Sequence, residues 1–257
     1  MELIKQQIKN TVFGEPKNCP VCGKEYILTS IGPDRFKIQY YTPQCNCEKE
    51  LEAKKNRDRI EKEQKEKDAI ALSKRFDNCM LSKRLRKMNF ESLDADINTK
   101  EIYFCKKYVN EFNVEEAKGI QMLGNTGVGK SALMACVCNG LIKKGYNCLF
   151  TTLSSLISDF VQYSGEHFGG ITHKINWLLK YDFIVLDDIG RENITDKRKE
   201  ILFQIVDALY NEEKIVAFTA NPEMIMRLKQ DKELTAILDR LRSMCPNVFK
   251  FQGESLR

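Results

Sequence analysis

The residues Gly124-Asn125-Thr126-Gly127-Val128-Gly129-Lys130-Ser131 follow the spacing G-x-x-x-x-G-K-S, a pattern that cradles nucleotide phosphates. Backbone N–H groups of such a turn wrap the phosphate oxygens, because glycine permits close approach and positive φ. Lys130 is placed to set its ammonium between the β- and γ-phosphates, and Ser131 to put its hydroxyl on Mg²⁺. A helix opening at this point aims the positive end of its dipole at the anion. ATP and Mg²⁺ are therefore the expected cofactors.

A phosphate loop needs a carboxylate at a strand end to hold the metal and order the attacking water. The run from Asp182 through Phe183, Ile184, Val185 and Leu186 to Asp187 and Asp188 supplies it: a buried strand ending in two acids. Asp187 is the candidate metal holder, directly or through water, and Asp188 the candidate water-orienting base. A second apolar run, Lys214 to Thr219, ends in Ala220-Asn221-Pro222. Asn221 is placed to hold the same water or a γ-phosphate oxygen. It also has the sequence of a helix N-cap with proline at the first helical position, and the two roles are compatible.

Cysteine supplies separate chemistry. Cys19-Pro20-Val21-Cys22-Gly23 and Cys45-Asn46-Cys47 are two thiol pairs, each able to reach one metal from a tight turn. Brought together they complete the closed four-sulfur shell of structural Zn²⁺, with no open position for catalysis. Cys136 and Cys138 lie two apart on an expected helix and face different directions, while Cys79, Cys105, Cys148 and Cys245 are isolated. None of the six extends the metal site, and the four isolated ones read as core thiols.

The elements that must hold these groups are legible around them. Ile120 to Leu123 reads as a strand leading into the phosphate loop, and Ala132 to Lys143 as a helix leaving it, with Leu133, Val137 and Leu141 on one face. From about Asn89 onward, strand-like and helix-like runs alternate, which argues for a parallel α/β sheet. Residues 48–75 are Glu/Lys/Arg-rich with thinly placed apolar residues, the composition of an exposed helical spacer. The expected division is 1–47 zinc module, 48–75 charged linker and 76–257 ATPase domain. The chain of 257 residues carries a formal charge of only +5, which permits nucleic-acid contact without demanding it. No apolar run has the ~18 residues of a membrane span, and the first residues lack the pattern of a signal peptide. No membrane association is expected. Ten cysteines without a secretion signal point to reduced thiols and the cytoplasm.

From about residue 76 onward the sequence resembles the DnaC/DnaI-type replicative-helicase loaders, a branch of the AAA+ P-loop NTPases. The resemblance is carried by Leu123 to Leu133, Leu141 to Tyr146, Cys148 to Phe150, Val185 to Gly190, Thr219 to Asn221, Leu238 to Leu241 and Ser255 to Arg257. The segment Lys83 to Leu93 is similar to the start of the ATPase domain in such loaders, and DnaI-like members carry an N-terminal zinc module that binds the helicase. The resemblance implies Lys130 and Ser131 as the Walker A pair, Asp187 and Asp188 as the Walker B carboxylates, and Asn221 as sensor 1. It further implies Arg240 as an arginine finger reaching a neighbouring subunit, and Arg257 as a sensor 2 arginine touching nucleotide in its own subunit.

The implied fold is an AAA+ domain, a parallel sheet flanked by helices, beside a small zinc-binding domain. No separate helical lid is expected after Arg257. The implied activity is an ATPase that loads a hexameric replicative DNA helicase onto single-stranded DNA and self-associates through the AAA+ interface. Asp188 stands where many AAA+ proteins have Glu, one methylene longer, so turnover is expected to be slow and stimulated by partners. Two alternatives share the core: an IstB-like ATP-dependent transposition helper, and a nucleotide-gated adaptor with negligible hydrolysis.

Overall fold

A computed structural model describes residues 12–15, 17–32, 38–93, 99–162, 170–190 and 195–251. The chain divides into two compact units, Met1–Ala69 and Ile70–Arg257.

In the first unit a three-stranded sheet has the order β1-β3-β2, with β1 at Val12–Phe13, β2 at Tyr26–Ile31 and β3 at Ile38–Pro43. β2 and β3 are antiparallel, with Tyr26 opposite Pro43 and Ile31 opposite Ile38. That register decides the geometry of the thiols. The start of β2 follows Cys22 and the end of β3 precedes Cys45, so antiparallel pairing delivers both cysteine pairs to one end of the sheet.

Helix α1 spans Cys47–Asn78, longer at both ends than the charged segment suggested, and the division between the units falls within it. Side chains from Lys49 to Ile70 are exposed. This stretch buries no core, so its helicity rests on propensity and on neighbouring charges. Lys65 meets Glu61 at 2.5 Å, with Arg59–Glu63 and Lys62–Glu66 pairs at 3.9 and 4.0 Å. Each such exposed pair contributes about 0.2–0.5 kcal/mol.

The second unit is built on a five-stranded sheet of order β5-β6-β7-β4-β8, parallel throughout. The strands are β4 Ile120–Gly124, β5 Cys148–Thr152, β6 Phe183–Ile189, β7 Ile215–Ala220 and β8 Asn247–Phe251. The described helices are α2 Thr99–Glu111, α3 Lys130–Lys143, α4 Leu153–Gln162, α5 Gly170–Leu178, α6 Asp196–Asn211, α7 Pro222–Leu228 and α8 Lys232–Met244. Strand alternation sorts the core into two layers. Ile120, Met122, Phe150, Phe183, Val185, Ile215 and Ala217 pack with α2 and α3 on one face. Leu149, Ile184, Leu186, Val216, Phe218 and Ala220 pack with α4 to α8 on the other.

Helix α3 departs from the one-faced pattern the sequence suggested. Leu133 to Asn139, Leu141 and Ile142 are all buried. The reason is a segment laid across its outer side: two 3-10 turns, Leu85–Lys87 and Phe90–Ser92, the second closed by reciprocal Asn89–Ser92 side-chain caps. A helix covered on every side must be apolar all round. Cys79, Cys105, Cys138 and Cys148 are buried in this layer, Cys136 on α3 itself, and Cys245 in the opposite layer. Burial pushes the Cys136 thiol up to about 12, and Cys138 and Cys245 also rise. They are packing groups, not nucleophiles. Among the described residues, no helix is long and apolar enough to cross a membrane.

Strand order places the chemistry. From β4 the chain crosses to β5 on one side of the sheet, while β8 pairs on the other, and ligands of open α/β sheets bind outside strand C-termini at such a reversal. β7 lies between β4 and β6. Its C-terminal end therefore stands between the loop after β4 and the acids that end β6.

Candidate functional site

The loop after β4 has the conformation that its glycines allow. Gly127 and Gly129 take φ of 94° and 96°, a region costly for a residue with a Cβ. Gly129 in that conformation forms the N-cap of α3, leaving no side chain over the helix N-terminus. Gly124 serves differently: a Cβ there would meet the Phe251 carbonyl oxygen at 2.7 Å, so the β4–β8 approach requires its absence.

Lys130 is the first residue of α3 and is only 8% exposed. Its Nζ donates to the carbonyl oxygens of Gly124 at 2.8 Å and Asn125 at 2.7 Å, which folds the ammonium back into the loop. Ser131 Oγ donates to Asp187 Oδ1 at 2.8 Å, so residues 56 apart in sequence meet at one point. A hydroxyl and a carboxylate converging beneath a phosphate loop form an oxygen donor set suited to Mg²⁺.

The acids that end β6 are shaped by a β-bulge. Pairing shifts between Leu186↔Phe218 and Ile189↔Ala220, so Asp187 and Asp188 stand against Thr219 alone. Asp188 takes φ of 59°, a left-handed conformation costing a non-glycine residue about 1–2 kcal/mol. Thr219, 1% exposed, donates from Oγ1 to Asp187 Oδ1 at 2.6 Å and accepts from the Asp188 backbone N–H at 2.9 Å. The sequence drew attention to Asn221 and not to Thr219. Asn221 is the N-cap of α7, accepting from Glu223 N at 3.0 Å with Pro222 at the first turn.

Beside the loop lies a cleft of about 520 Å³, within the range that takes a small ligand. Gly127, Gly129, Lys130, Ser131 and Asp187 line one part, and Leu85, Met88 and Leu93 supply apolar lining from the segment over α3. That segment is pinned by Asn139, buried in α3, whose Nδ2 donates to the carbonyls of Met88 at 2.7 Å and Leu85 at 2.9 Å. Phosphate donors and apolar lining thus share one cleft. Neither Asn139 nor this lining was visible as a site in the sequence, because the Asn139 side chain holds the segment by its backbone carbonyls, which no residue pattern marks.

Arg240 lies on α8, in an ion pair with Asp207 of α6 at 2.5 Å, its guanidinium 4.9 Å from the Phe203 ring centre. Arg257 lies outside the described residues.

In the first unit, the Sγ atoms of Cys19, Cys22, Cys45 and Cys47 all lie within 4.8 Å of one another. A tetrahedral Zn–S₄ shell with bonds of about 2.3 Å has sulfur–sulfur edges of roughly 3.8 Å, so the cluster fits zinc after small closure. Gly23 turns at φ of 74° and its N–H donates to the Cys19 carbonyl at 2.9 Å, while Val21 N–H donates to Cys19 Sγ at 3.4 Å. Backbone donors aimed at sulfur favour thiolate. The Cys22 thiol is lowered to about 7, first by the Lys24 backbone hydrogen bond and then by the Cys45 thiol. Cys47 is pushed up to about 12, chiefly by Cys22 and then Cys45. The Cys22 thiolate forms readily, and Cys45 and Cys47 then resist, which is the arrangement a cation resolves. Elemental analysis of freshly purified protein is expected to give about one zinc per chain. Cys45→Ser should lose that zinc and the order of the small sheet, with nucleotide binding retained. A metal content near zero that does not rise on refolding with zinc counts against the site.

Comparison with known proteins places these features in context. Residues 49–257 match the family of IstB-like ATP binding proteins. The replicative helicase loader DnaC of Escherichia coli K12 is 26% identical over 184 residues, covering 70% of this chain and 73% of that protein. Among solved structures, the DnaC helicase loader superposes with a TM-score of 0.57 at 23% identity, over 66% of this chain and 100% of that one. DnaI gives 0.57 at 22%, over 69% and 95%. AMPPCP-bound DnaA from Aquifex aeolicus gives 0.53 at 18%, over 65% and 50%. At these identities the superpositions establish the fold alone, a parallel sheet flanked by helices.

Proposed function

The chain belongs to the IstB-like ATP-binding protein family, and on that premise we propose that it is an ATP-dependent loader of the replicative DNA helicase onto single-stranded DNA. The observation that carries this reading is coverage. The sequence match to DnaC runs over 70% of this chain and 73% of that protein, so the likeness is not confined to the phosphate loop. The phosphate loop and the acids of β6 fall within residues 49–257, the span matched by the family.

In this reading the glycine turn and Lys130 bind the triphosphate, and Ser131 with Asp187 would hold Mg²⁺, which would neutralise charge on the phosphate oxygens. Asp188 orients a water in line with the γ-phosphorus and accepts its proton as the bond to ADP breaks. Asn221 offers its amide from the neighbouring strand end. Nucleotide state governs self-association through the AAA+ surface and the grip on DNA, and the zinc module provides the contact to a hexameric helicase.

Asp187→Asn isolates the metal step. An asparagine oxygen can still accept from Ser131 and Thr219, so the geometry stays while the charge is lost. Nucleotide binding in EDTA should be unchanged, and Mg²⁺-dependent phosphate release should fall about a hundred-fold, the equivalent of about 3 kcal/mol. Wild-type turnover in this variant would remove Asp187 from the metal site.

A transposition helper remains the second reading, because the matched family is described by IstB. The deciding experiment mixes the purified chain with the replicative helicase of its host and circular single-stranded DNA. A stable complex, and helicase transfer to the circle that requires ATP, are expected. No complex, with capture of a transposase instead, overturns the loader reading.

A further inference from the structure

We propose that Thr219 is the positioning residue of the catalytic acids: its hydroxyl fixes Asp187 for metal binding and holds Asp188 in its left-handed conformation. The proposal deepens the ATPase reading above and rests on it.

Proton accounting carries the argument. A threonine hydroxyl has one hydrogen to give and lone pairs to accept with. The Asp188 backbone N–H can only donate, and it donates to Thr219 Oγ1 at 2.9 Å. The single hydroxyl hydrogen is then directed to Asp187 Oδ1, 2.6 Å away. One side chain thereby orients both acids at once, with Asp187 as acceptor.

The β-bulge explains why a side chain is needed. Two residues of β6 oppose one of β7, so the ladder lacks a backbone partner for one group on the bulged strand. Thr219 fills that place from the opposing position. Its burial, at 1% exposed, keeps water from competing for either bond. Ser131 Oγ also donates to Asp187 Oδ1, and in the ATPase reading that hydroxyl turns to Mg²⁺. Thr219 is then the hydrogen bond that stays on the carboxylate when the metal binds. Carboxylates that hold a metal depend on such outer partners, whose loss typically costs ten- to a hundred-fold in metal affinity or activity.

Thr219→Val keeps shape and removes the hydroxyl, Thr219→Ala removes it with less volume, and Thr219→Ser retains it. Manganese binding to the nucleotide complex is read by electron paramagnetic resonance, and nucleotide affinity in EDTA is read separately as a check on folding. Expected results for both hydroxyl-less variants are metal affinity weaker by roughly ten-fold or more, nucleotide affinity in EDTA within about two-fold of wild type, and reduced kcat with little change in KM. Thr219→Ser should recover metal affinity. Wild-type manganese affinity in Thr219→Val and Thr219→Ala overturns the assignment, as does failure of Thr219→Ser to recover it. If the wild-type protein itself binds no manganese with nucleotide, the ATPase reading falls and this one with it.

Discussion

Lys130→Ala is expected to lower ATP affinity by at least about a hundred-fold while leaving the protein folded. The ammonium is nine-tenths buried and already oriented, its Nζ held by the carbonyls of Gly124 and Asn125. When a triphosphate enters, those weak acceptors are exchanged for charged phosphate oxygens. Hydrogen bonds to charged groups contribute about 1.5–3 kcal/mol each, so losing contacts to two phosphates removes roughly 3–5 kcal/mol, a factor of a hundred or more in Kd. The fold has less at stake. Asn125 is exposed, so water can replace the lost donor there, and the helix interior is untouched. Equilibrium titration with a fluorescent ATP analogue, beside a thermal melt, separates the two effects. Wild-type affinity in the variant would mean that the cleft beside Leu85 and Met88 does not hold phosphates at this loop.

What could be read in the sequence was what sits close together in it. The glycine and lysine spacing of residues 124–131 fixes a local backbone shape, and the structure places Gly127 and Gly129 at the positive φ that spacing demands. The apolar run ending at Asp187 and Asp188 is buried on both faces as β6, because a central parallel strand contacts helices on each side. The paired cysteines were legible for the same reason, and sheet register brought them to one place.

What was hidden depends on register and coverage. Thr219 reaches Asp187 and Asp188 across 32 and 31 positions, and only the bulge that shifts β6 against β7 makes it their partner. No period in the sequence announces a bulge. Likewise α3 was expected to be amphipathic, and its outer side proved apolar because residues 85–92 lie over it, pinned by Asn139. Arg240 was singled out by resemblance alone, and its partners Asp207 and Phe203 lie on a different helix.

Those partners sharpen the second large expectation, that Arg240→Ala abolishes partner-stimulated ATP hydrolysis while leaving ATP binding by a lone subunit unchanged. A guanidinium supplied to the transferring phosphoryl group by a neighbour raises turnover by roughly 10³–10⁵. Within one chain the side chain is engaged elsewhere, with Asp207 at 2.5 Å and over Phe203. It must leave that pair to act across an interface. The pair is part-exposed, at 38% and 37%, and ion pairs of that kind contribute about 0–1 kcal/mol, so release is inexpensive on the scale of a phosphoryl contact. The same figure predicts that Arg240→Ala barely moves the melting temperature. Asp207→Asn supplies the contrast: it weakens the resting pair but spares the finger, so stimulated turnover should persist. If the Arg240–Asp207 pair is instead what the site requires, both substitutions should fail alike. Mixing Arg240→Ala with Lys130→Ala subunits completes the test. Each is inactive alone, yet a mixed interface joins an intact phosphate loop to an intact arginine, and turnover should partly return. A mixture that co-assembles and stays inactive would show that Arg240 works only within its own chain.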